Sequence, residues 1–356
     1  MTRFAVIRYS SDGLQASYLE LPSVEKRELQ GATRDIREDV RKAAEKNLKI
    51  VPVDIDASRE IISDAIKEIV DFIVTDLKDD EIFTTIIGYG PVSDRATSNK
   101  TYGYVHDLAD PPFSGISVHN EISRIVVEKT SNGMNIDRVR LISDCAALAT
   151  ARLWSTFQFG QPNIAAIGGM IFGRGVGGAV ASRLNMGKAV CTFSEYGHIT
   201  VHEPENEILS GPNCEFHSGC LTGRASWRAL FERAEILGVP IEHLVQQPQH
   251  EIWELQADYM AQGCFNMFLA HRPNCIVLGG SILKKAPFLF GKCIERFHHW
   301  LGDDRDFFGI GTSSQFLQLL YEDEAYLQGG LRHSTGLWVY EVREFPYVQN
   351  NQGSFK

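Results

Sequence analysis

Two cysteines and one histidine within seven residues constrain the fold of this chain more than any other feature. Cys214, His217 and Cys220 form a Cys-x2-His-x2-Cys triplet in a turn-rich stretch, and His198 lies upstream on a separate strand. Two thiolates and two imidazoles complete a tetrahedral zinc shell and leave no coordination position for water. The pattern therefore predicts a structural zinc site. The alternatives are buried free thiols with incidental histidines, or His202 in the place of His198.

The length of the chain and its cysteines indicate how many cores it forms and whether disulfides stabilise it. The chain has 356 residues, 44% of them hydrophobic, which is more than one core of ~100–200 residues usually organises. We expect two lobes with large cores. The seven cysteines are an odd number scattered through a large chain, which argues against a disulfide framework.

The charge balance excludes some classes of partner. Lys and Arg total 35 against 45 Asp and Glu, a formal net charge of −10, so the chain offers no basic field for nucleic acid or anionic lipid. No apolar run reaches the ~18–20 residues that cross a bilayer, and the first residues lack the apolar core of a signal peptide. We therefore expect a cytoplasmic protein without nucleic-acid or membrane partners.

The first part of the chain predicts a hairpin and a helix. Phe4–Tyr9 and Leu14–Leu21 are short strand patterns separated by turn-forming residues. Residues 24–56 form a charged insert to which we assign no chemistry. After the candidate cap Asp56, apolar residues at helical spacing over Ala57–Leu77 predict a helix that faces the core, and a buried strand follows at Phe83–Ile87.

Two acidic residues follow predicted strands in the middle of the chain. Asp144 comes after the strand Arg138–Ile142 and immediately before a helix over Cys145–Thr156. A carboxylate at the carboxyl end of a strand can accept a proton from a substrate hydroxyl, but the same position also suits an ordinary helix N-cap. Glu195 is likewise either a functional or a solvated acid at a strand end.

Glycines mark two further turns. The strand Ile164–Phe172 runs into the glycine-dense segment 173–179 and then into a second strand, an arrangement that can present backbone N–H groups to a phosphate. A strand over Cys275–Leu278 ends at Gly279 and Gly280. Glycine loops alone are weak evidence, because they occur in many folds.

Together these segments resemble the ROK family of sugar kinases, and within it the bacterial fructokinases. The resemblance covers residues 82–330 and rests on the following stretches: GYGPVSDRATSNKTYGYV (88–105), ISDCAALA (142–149), GGMIFGRGVGGAV (168–180), SEYGHI (194–199), CEFHSGCLTGRAS (214–226) and IVLGGSIL (276–283). It implies an α/β, two-lobed, actin-like ATPase (ribonuclease H-like) fold, with sugar and ATP meeting in the cleft between the lobes.

The resemblance also implies a role for each matched residue. Asp144 matches the catalytic base, and the sugar side comprises Glu195, Tyr102, Gly103, Tyr104, Ser143 and Thr222. His198, Cys214, His217 and Cys220 match the zinc ligands. The nucleotide side comprises Gly173, Arg174, Gly175, Gly177, Gly178, Gly279, Gly280 and Arg8. The implied cofactors are structural zinc and ATP with magnesium, and a homodimer is expected.

The chain departs from the family pattern at the phosphate and sugar contacts. Arg8 stands at the place of an acid, and Ser10, Ser11, Asp12 and Gly13 replace a Gly-Gly-Thr-Lys hairpin. These departures count against ordinary Mg-ATP binding. Arg174 replaces a threonine, Ala146 an asparagine and Thr222 a glutamate.

Two accounts fit these departures. In the first, Arg8 and Arg174 supply the missing positive charge, and the chain is an ATP-dependent kinase of a fructose-like or amino sugar. In the second, the site no longer transfers phosphate and binds, or performs other acid–base chemistry on, a sugar-like or phosphorylated ligand. A DNA-binding repressor is not indicated, since no helix-turn-helix domain or basic face accompanies the pattern.

The expected domain limits follow from the same pattern. Residues 1–115 form an amino-terminal α/β lobe. Residues 116–330 form a carboxyl-terminal α/β lobe that carries the zinc loop at 198–220, and residues 331–356 form a terminal segment and tail.

Overall fold

The computed structural model describes most of the chain. The described residues are 2–10, 12–21, 37–77, 81–89, 103–106, 112–130, 139–156, 165–184, 188–211, 214–216, 218–302, 316–320 and 323–341. The strands are β1 (Thr2–Ser10), β2 (Gly13–Leu21), β3 (Leu48–Pro52), β4 (Glu81–Gly88), β5 (Val139–Ser143), β6 (Ala166–Phe172), β7 (Val176–Leu184), β8 (Lys188–Ser194), β9 (Cys275–Gly279) and β10 (Leu317–Leu319).

The helices account for much of the rest. They are α1 (Arg37–Lys46), α2 (Arg59–Val74), α3 (Val118–Lys129), α4 (Asp144–Thr156), α5 (Leu221–Ala225), α6 (Trp227–Leu237), α7 (Ile241–Val245), α8 (Ile252–His271), α9 (Ser281–Lys285), α10 (Leu289–Leu301) and α11 (Asp323–Glu341). Each element predicted from the sequence as a strand or helix is present, with ends shifted by a few residues. The charged insert at 24–56 contains α1 and β3.

The first sheet has the strand order β3-β2-β1-β4-β5. The predicted hairpin is confirmed as the antiparallel pair β1–β2, and β1, β4 and β5 run parallel to one another. Gly13 closes the hairpin with a φ of +122°, and a Cβ atom there would lie 2.4 Å from the carbonyl oxygen of Val51. This position therefore requires glycine. The carboxyl ends of the three parallel strands meet at one edge of the sheet.

Helix α2 shows why the sequence pattern was informative and where it was not. Its buried residues are those spaced for one helical face, including Ile62, Ile66 and Ile69, and they pack against the first sheet. The cap is Ser58, whose hydroxyl accepts from the backbone N–H of Ile61, so the assignment of Asp56 as the cap is wrong. Both residue types cap well, and position alone does not distinguish them.

The second sheet has the order β10-β9-β6-β7-β8. Strands β6, β9 and β10 are parallel, whereas β6, β7 and β8 form an antiparallel meander. Helix α8 lies in the core around this sheet and is buried along most of its length, with Trp253, Tyr259 and Met260 in the same hydrophobic cluster as Met170 of β6. A helix that is apolar on most sides is expected where it packs between other elements.

Helices α4 and α11 join the two sheets. One hydrophobic cluster contains Val6 of the first sheet, Val277 of the second, Leu148 of α4 and Leu331 of α11. The helices approach closely at Gly329, where a Cβ atom would lie 2.0 Å from the carbonyl oxygen of Ala147. The two sheets thus share a helical layer. None of the helices in the described part of the chain combines the length and apolar character that a membrane span needs.

The limits of the lobes stay a prediction. Strand β5, at residues 139–143, is hydrogen-bonded to β4 in the first sheet although it follows the expected boundary at residue 115. Helix α11 also packs on the first sheet through Gly330, near the side chains of Val6 and Ile87. Any test of the boundary has to account for these elements.

Candidate functional site

The first wall of the candidate site is the edge where β1, β4 and β5 end, and we call it the first-sheet edge: Arg8, Gly88, Ser143 and Asp144. Arg8 pairs with Ile87 in the parallel register of β1 and β4, and Gly88 pairs with Ser143 in that of β4 and β5. Because the strands are parallel, residues that are distant in the sequence reach the same edge. A crevice at such an edge is where α/β sheets bind ligands.

Asp144 is the first residue of α4, and its neighbour Ser143 caps that helix. The Ser143 hydroxyl accepts from the backbone N–H of Ala146 at 3.1 Å, so the capping role considered for Asp144 belongs to Ser143. The Asp144 Oδ1 atom accepts from the backbone N–H of Cys145 at 2.8 Å and from its thiol at 3.4 Å. Asp144 is left with carboxylate lone pairs that the helix does not need.

The electrostatics of Asp144 suit a proton acceptor. Burial raises the pKa of Asp144 above its ordinary value, while the positive charge of Arg8 and the hydrogen bonds from Cys145 lower it in part. A carboxyl group with a raised pKa binds a proton more readily than a solvated one, which is what a general base requires.

Arg8 is held at this edge by two side chains. Its guanidinium stacks over the ring of Tyr326, with the Cζ atom 4.2 Å from the ring centroid, and donates to Oε1 of Gln15 at 3.3 Å. Tyr326 comes from α11 and Gln15 from β2, so the contact depends on residues far apart in the sequence. It is an ordered cation beside Asp144.

Tyr9 belongs to the same edge and was not recognised from the sequence. It is buried, and its hydroxyl has no hydrogen-bond partner within the described residues. The Oη atom lies 2.4 Å from where a Cβ atom of Gly88 would be, so glycine at 88 makes room for it. Burial raises the pKa of Tyr9, followed by the charges of Tyr89 and Asp144, and the phenol stays protonated. The sequence signal for Tyr9 is strand alternation. Because Tyr9 follows Arg8 in β1, its side chain lies on the opposite face of the sheet.

The second wall begins with the metal cluster, which we define as His198, Cys214 and Cys220. The His198 Nδ1 atom lies 3.6 Å from the Cys214 Sγ atom and 3.9 Å from the Cys220 Sγ atom, and the ligand atoms of the three residues all lie within 4.8 Å of one another. Nitrogen and sulfur ligands of a tetrahedral zinc ion are roughly 3.6 Å apart, given metal–ligand bonds of about 2.1 and 2.3 Å. The cluster therefore fits zinc.

Two other histidines of this region, His217 and His202, are candidate metal ligands by sequence. His217, the fourth predicted ligand, lies outside the described residues. The ring of His202 packs edge-on against Trp300 with 6.2 Å between centroids, and its backbone N–H and C=O both bind the amide side chain of Gln262. His202 is not in the cluster, so the structure favours His198 over it.

Glu195 lies at the rim of the metal cluster. Its side chain is 88% exposed, and its Oε2 atom is 4.0 Å from Nε2 of His198. The carboxylate is therefore free of the core and available to hydroxyl groups, at the entrance of the short 3-10 helix Tyr196–His198. This placement is compatible with both the solvated and the sugar-binding interpretation.

The glycine turn, Gly173–Arg174–Gly175, connects β6 to β7. Phe172 pairs with Val176 across it, the N–H of Gly173 donates to the carbonyl of Gly175, and Arg174 is exposed at its tip. It is a three-residue hairpin connection, as the strand–loop–strand pattern predicted.

Gly177 and Gly178 lie inside β7 rather than in the turn. A Cβ atom at Gly177 would lie 2.7 Å from the Cys145 Sγ atom, and one at Gly178 would lie 2.7 Å from the Cβ atom of Tyr196. Packing against α4 and against the segment before His198 explains these two glycines without a phosphate.

Gly279 and Gly280 meet the base of the glycine turn. Gly280 has a φ of +104°, and a Cβ atom there would lie 2.3 Å from the carbonyl oxygen of Phe172. The next residue, Ser281, accepts from the indole N–H of Trp227 at 2.8 Å, and its Oγ atom would lie 3.3 Å from a Cβ atom at Gly173. The structure thus brings the two predicted glycine motifs together.

A segment from the first half of the chain reaches the metal cluster. Gly103 has a φ of +73° and packs on His119, and Tyr104 bridges to Ser117. The ring of His106 contacts that of Phe216 with 5.8 Å between centroids, and Phe216 contacts His198 at 5.4 Å. Phe216 is 46% exposed and was not recognised from the sequence. Tyr102 lies outside the described residues.

Comparisons with known proteins identify the family and the fold. A model of the ROK family matches residues 33–306. A fructokinase from Lactococcus lactis subsp. cremoris is 28% identical over 198 residues, which is 55% of this chain and 60% of the relative, so the match spans less than two thirds of that protein.

Solved structures match over a greater length. A ROK hexokinase from Thermus thermophilus superposes with a TM-score of 0.61 at 17% identity, over 93% of this chain and 97% of the other. A ROK family glucokinase from Streptomyces griseus, solved with glucose and AMPPNP, has a TM-score of 0.52 at 16% identity, over 94% and 98%. The predicted fold class is confirmed.

Proposed function

Because the chain belongs to the ROK family, we propose that it phosphorylates a hydroxyl group of a sugar with ATP, and that the sugar is fructose-like or an amino sugar. The observation that carries the proposal is the placement of Asp144, a carboxyl with a raised pKa at the edge where three parallel strands end. Identity to curated fructokinases supports the sugar class.

Asp144 acts as the general base in this proposal. It accepts the proton of the sugar hydroxyl while that oxygen forms a bond to the γ-phosphorus of ATP. The bond from the γ-phosphorus to its bridging oxygen breaks at the same time, and ADP leaves. Ser143 supports the geometry by capping α4 and so holding Asp144 at the first turn of the helix.

The sugar lies between Asp144 and the metal cluster. Glu195 accepts hydrogen bonds from its hydroxyl groups, and the segment 103–106 closes its other side, where His106 meets the ring of Phe216. Zinc at the metal cluster is structural: with His217 as a fourth ligand the shell is closed, and its part is to hold this loop in shape.

The phosphates lie against the glycine turn. Arg174 at its tip supplies positive charge, and Arg8 supplies a second cation near Asp144. Since Arg8 occupies the place of an acid in the family pattern, magnesium is bound by fewer protein groups than in an ordinary sugar kinase, and nucleotide binding depends less on it.

Arg8 also supports the second candidate function. An ordered guanidinium beside a buried carboxylate suits a ligand that already carries a phosphate, because Arg binds phosphate oxygens in a bidentate manner. In that case the site binds a sugar phosphate and transfers nothing to it.

Calorimetric titration with AMPPNP, with and without magnesium and with and without fructose, mannose and N-acetylmannosamine, separates the two candidates. The kinase proposal predicts nucleotide binding that strengthens when the sugar is present. If millimolar AMPPNP fails to bind with or without magnesium, while fructose 6-phosphate binds, the second candidate is correct. Sedimentation of the same sample tests the expected homodimer.

A further inference from the structure

Three segments of the chain meet at Val176, the first residue of β7 after the glycine turn. The Thr222 hydroxyl accepts from the backbone N–H of Val176 at 3.3 Å and donates to its carbonyl at 3.4 Å. At Gly197 a Cβ atom would lie 1.9 Å from the Val176 carbonyl oxygen and 2.5 Å from the Thr222 Oγ1 atom. These three segments are packed too tightly for any one of them to shift alone.

Both segments that contact Val176 also carry a member of the metal cluster. Gly197 directly precedes His198, and Thr222 follows Cys220 by two residues. Cys220 is the cap of α5, because its Sγ atom accepts from the backbone N–H of Gly223 at 3.4 Å. The position of Thr222 is therefore set by the start of a helix whose cap is a metal ligand.

The other end of the glycine turn is held by the same part of the chain. The backbone N–H of Trp227, at the start of α6, donates to the carbonyl of Gly173 at 2.8 Å. The continuous stretch from Cys220 to Trp227 thus bonds to the residue after the turn and to the first residue of the turn. Arg174 projects from between these two attachments.

The geometry points to Thr222 as a positioning residue that couples the metal cluster to the glycine turn. A metal ion held by His198 and Cys220 would fix the positions of the two segments that contact Val176. The Thr222 hydroxyl, through its hydrogen bonds to Val176, then fixes the backbone at the end of the turn. The consequence is that the metal orders the loop that presents Arg174. In this role the Thr222 hydroxyl serves the Val176 backbone rather than the sugar.

A hydroxyl is the group that this role requires. It donates and accepts at the same time, whereas an ionised carboxylate only accepts and could not bond to the Val176 carbonyl. An ionised glutamate at this position could not make both contacts, whereas the Thr222 hydroxyl makes both. The identity of the phosphate ligand rests on the proposed function, but the coupling does not.

The test compares wild type with Thr222→Val, which keeps the shape and removes the hydroxyl, and with Thr222→Ser, which restores it. The first readout is amide hydrogen exchange at Val176 and across residues 173–176, measured on the zinc-loaded protein and on wild type stripped by a chelator. We expect exchange at Val176 to rise on the order of fivefold in Thr222→Val, because a hydrogen bond to its N–H is lost. We expect a similar rise in stripped wild type and wild-type rates in Thr222→Ser.

Zinc content and binding constants complete the test. Thr222→Val should keep the zinc stoichiometry of wild type and its sugar affinity, and should raise the KM for ATP severalfold with little change in kcat. Unchanged exchange at Val176 in Thr222→Val overturns the proposal, as does unchanged exchange at 173–176 after zinc is removed, or a folded wild type that binds no zinc. Should Thr222→Val not fold, the stripped wild type and Thr222→Ser still decide the question.

A wild type that binds no AMPPNP refutes the kinase proposal instead. The exchange measurements remain interpretable in that case, since they require no nucleotide.

Discussion

The metal loop, residues 198–220, and the amino-terminal hairpin, β1–β2, are held in different ways. The metal loop is tied down by backbone hydrogen bonds, by the convergence of segments at Val176 and by a buried ion pair. The hairpin presents Arg8, which is held by the side chains of Tyr326 and Gln15. By resemblance, the metal ligands match the family pattern and the hairpin does not. The sequence thus predicts a retained framework and altered phosphate contacts.

A buried ion pair anchors the metal loop. Arg233 and Glu207 are 0% and 1% exposed, and the guanidinium donates to both carboxylate oxygens at 3.0 and 2.6 Å. The Tyr259 hydroxyl donates to the same carboxylate at 2.7 Å. These bonds pin the segment between His198 and Cys214 to α6 and α8.

The largest expected effect is the loss of zinc from this loop. We expect about one zinc per chain in the purified protein. Cys220→Ser should reduce it to near zero and lower stability by several kcal/mol, because binding to a structural site contributes directly to folding. Cys264→Ser, at a buried cysteine outside the cluster, is the control. Elemental analysis and thermal melting measure both quantities. A folded, chelator-insensitive chain without zinc contradicts the assignment.

The next effect concerns the ion pair. Arg233→Ala leaves Glu207 buried without its partner, and we expect a loss of about 3–5 kcal/mol of stability in the second half of the molecule. Arg228→Ala is the matched control: its ion pair with Glu215 is exposed on both sides, so its removal should cost less than about 1 kcal/mol. Equal effects of the two variants in denaturant unfolding would show that the pair is not an anchor.

The corresponding test of the first-sheet edge is Asp144→Asn. Asparagine keeps the size of the side chain and removes the proton acceptor, so we expect a fall in kcat on the order of 10²-fold or more with little change in melting temperature. Since Ser143 caps α4, the variant should not destabilise the helix. Ser143→Ala is the contrasting variant and should lose stability, by about 1 kcal/mol. A fully active Asp144→Asn enzyme rules out the general base.

The two walls also differ in how far the sequence could predict them. The metal ligands lie close together in the sequence, and His198, Cys214 and Cys220 are together in the structure as expected. Asp144 could be named as a candidate because a strand end and a helix start are both visible locally. The sequence could not place Arg8 over Tyr326, because that contact joins β1 to α11 across most of the chain.

Thr222 shows a second limit of sequence reasoning. Its position after Cys220 indicates a sugar contact by resemblance, which stays a prediction, whereas the structure shows its hydroxyl bonded to the Val176 backbone. Only the packing of three segments in space shows this. In the same way, the buried hydroxyl of Tyr9 depends on the absent side chain of Gly88 in a different strand.

A smaller effect is expected at the tip of the glycine turn. If the chain is a kinase, Arg174→Thr restores the family residue, and ATP affinity should be preserved or raised. If the site binds a phosphorylated ligand, the same substitution removes a charged bidentate contact. The affinity for that ligand should then fall by about tenfold or more. Titration of AMPPNP and of fructose 6-phosphate into the variant distinguishes the two results. Weaker binding of AMPPNP would count against the first account.

The smallest effect is a difference in acid sensitivity between the part of the molecule around the first sheet, which includes α11, and the part around the second sheet. Beside the first sheet, the Nδ1 atom of His333 in α11 lies 3.0 Å from the Thr85 hydroxyl, and burial, with the charge of Arg140, lowers the pKa of His333 to about 4. Beside the second sheet, burial alone would raise the pKa of Glu207, but Arg233 and further hydrogen bonds lower it to about 2. Each group is unprotonated in the folded protein over a range in which the unfolded chain binds a proton.

Lowering the pH reduces the stability that both groups contribute, but over different pH ranges. Stability from His333 is present above pH 6.5 and is lost as the pH falls toward 4, whereas stability from Glu207 is present above pH 4.5 and is lost toward pH 2. Between pH 6.5 and 5.5 we therefore expect the part around the first sheet to lose about 1 kcal/mol of stability. Glu207 should cause no loss around the second sheet in this range. Native-state hydrogen exchange at β4 and at α8 measures the two parts separately. His333→Gln, which stays neutral, should abolish the loss at β4; an equal loss in that variant would assign it to other groups.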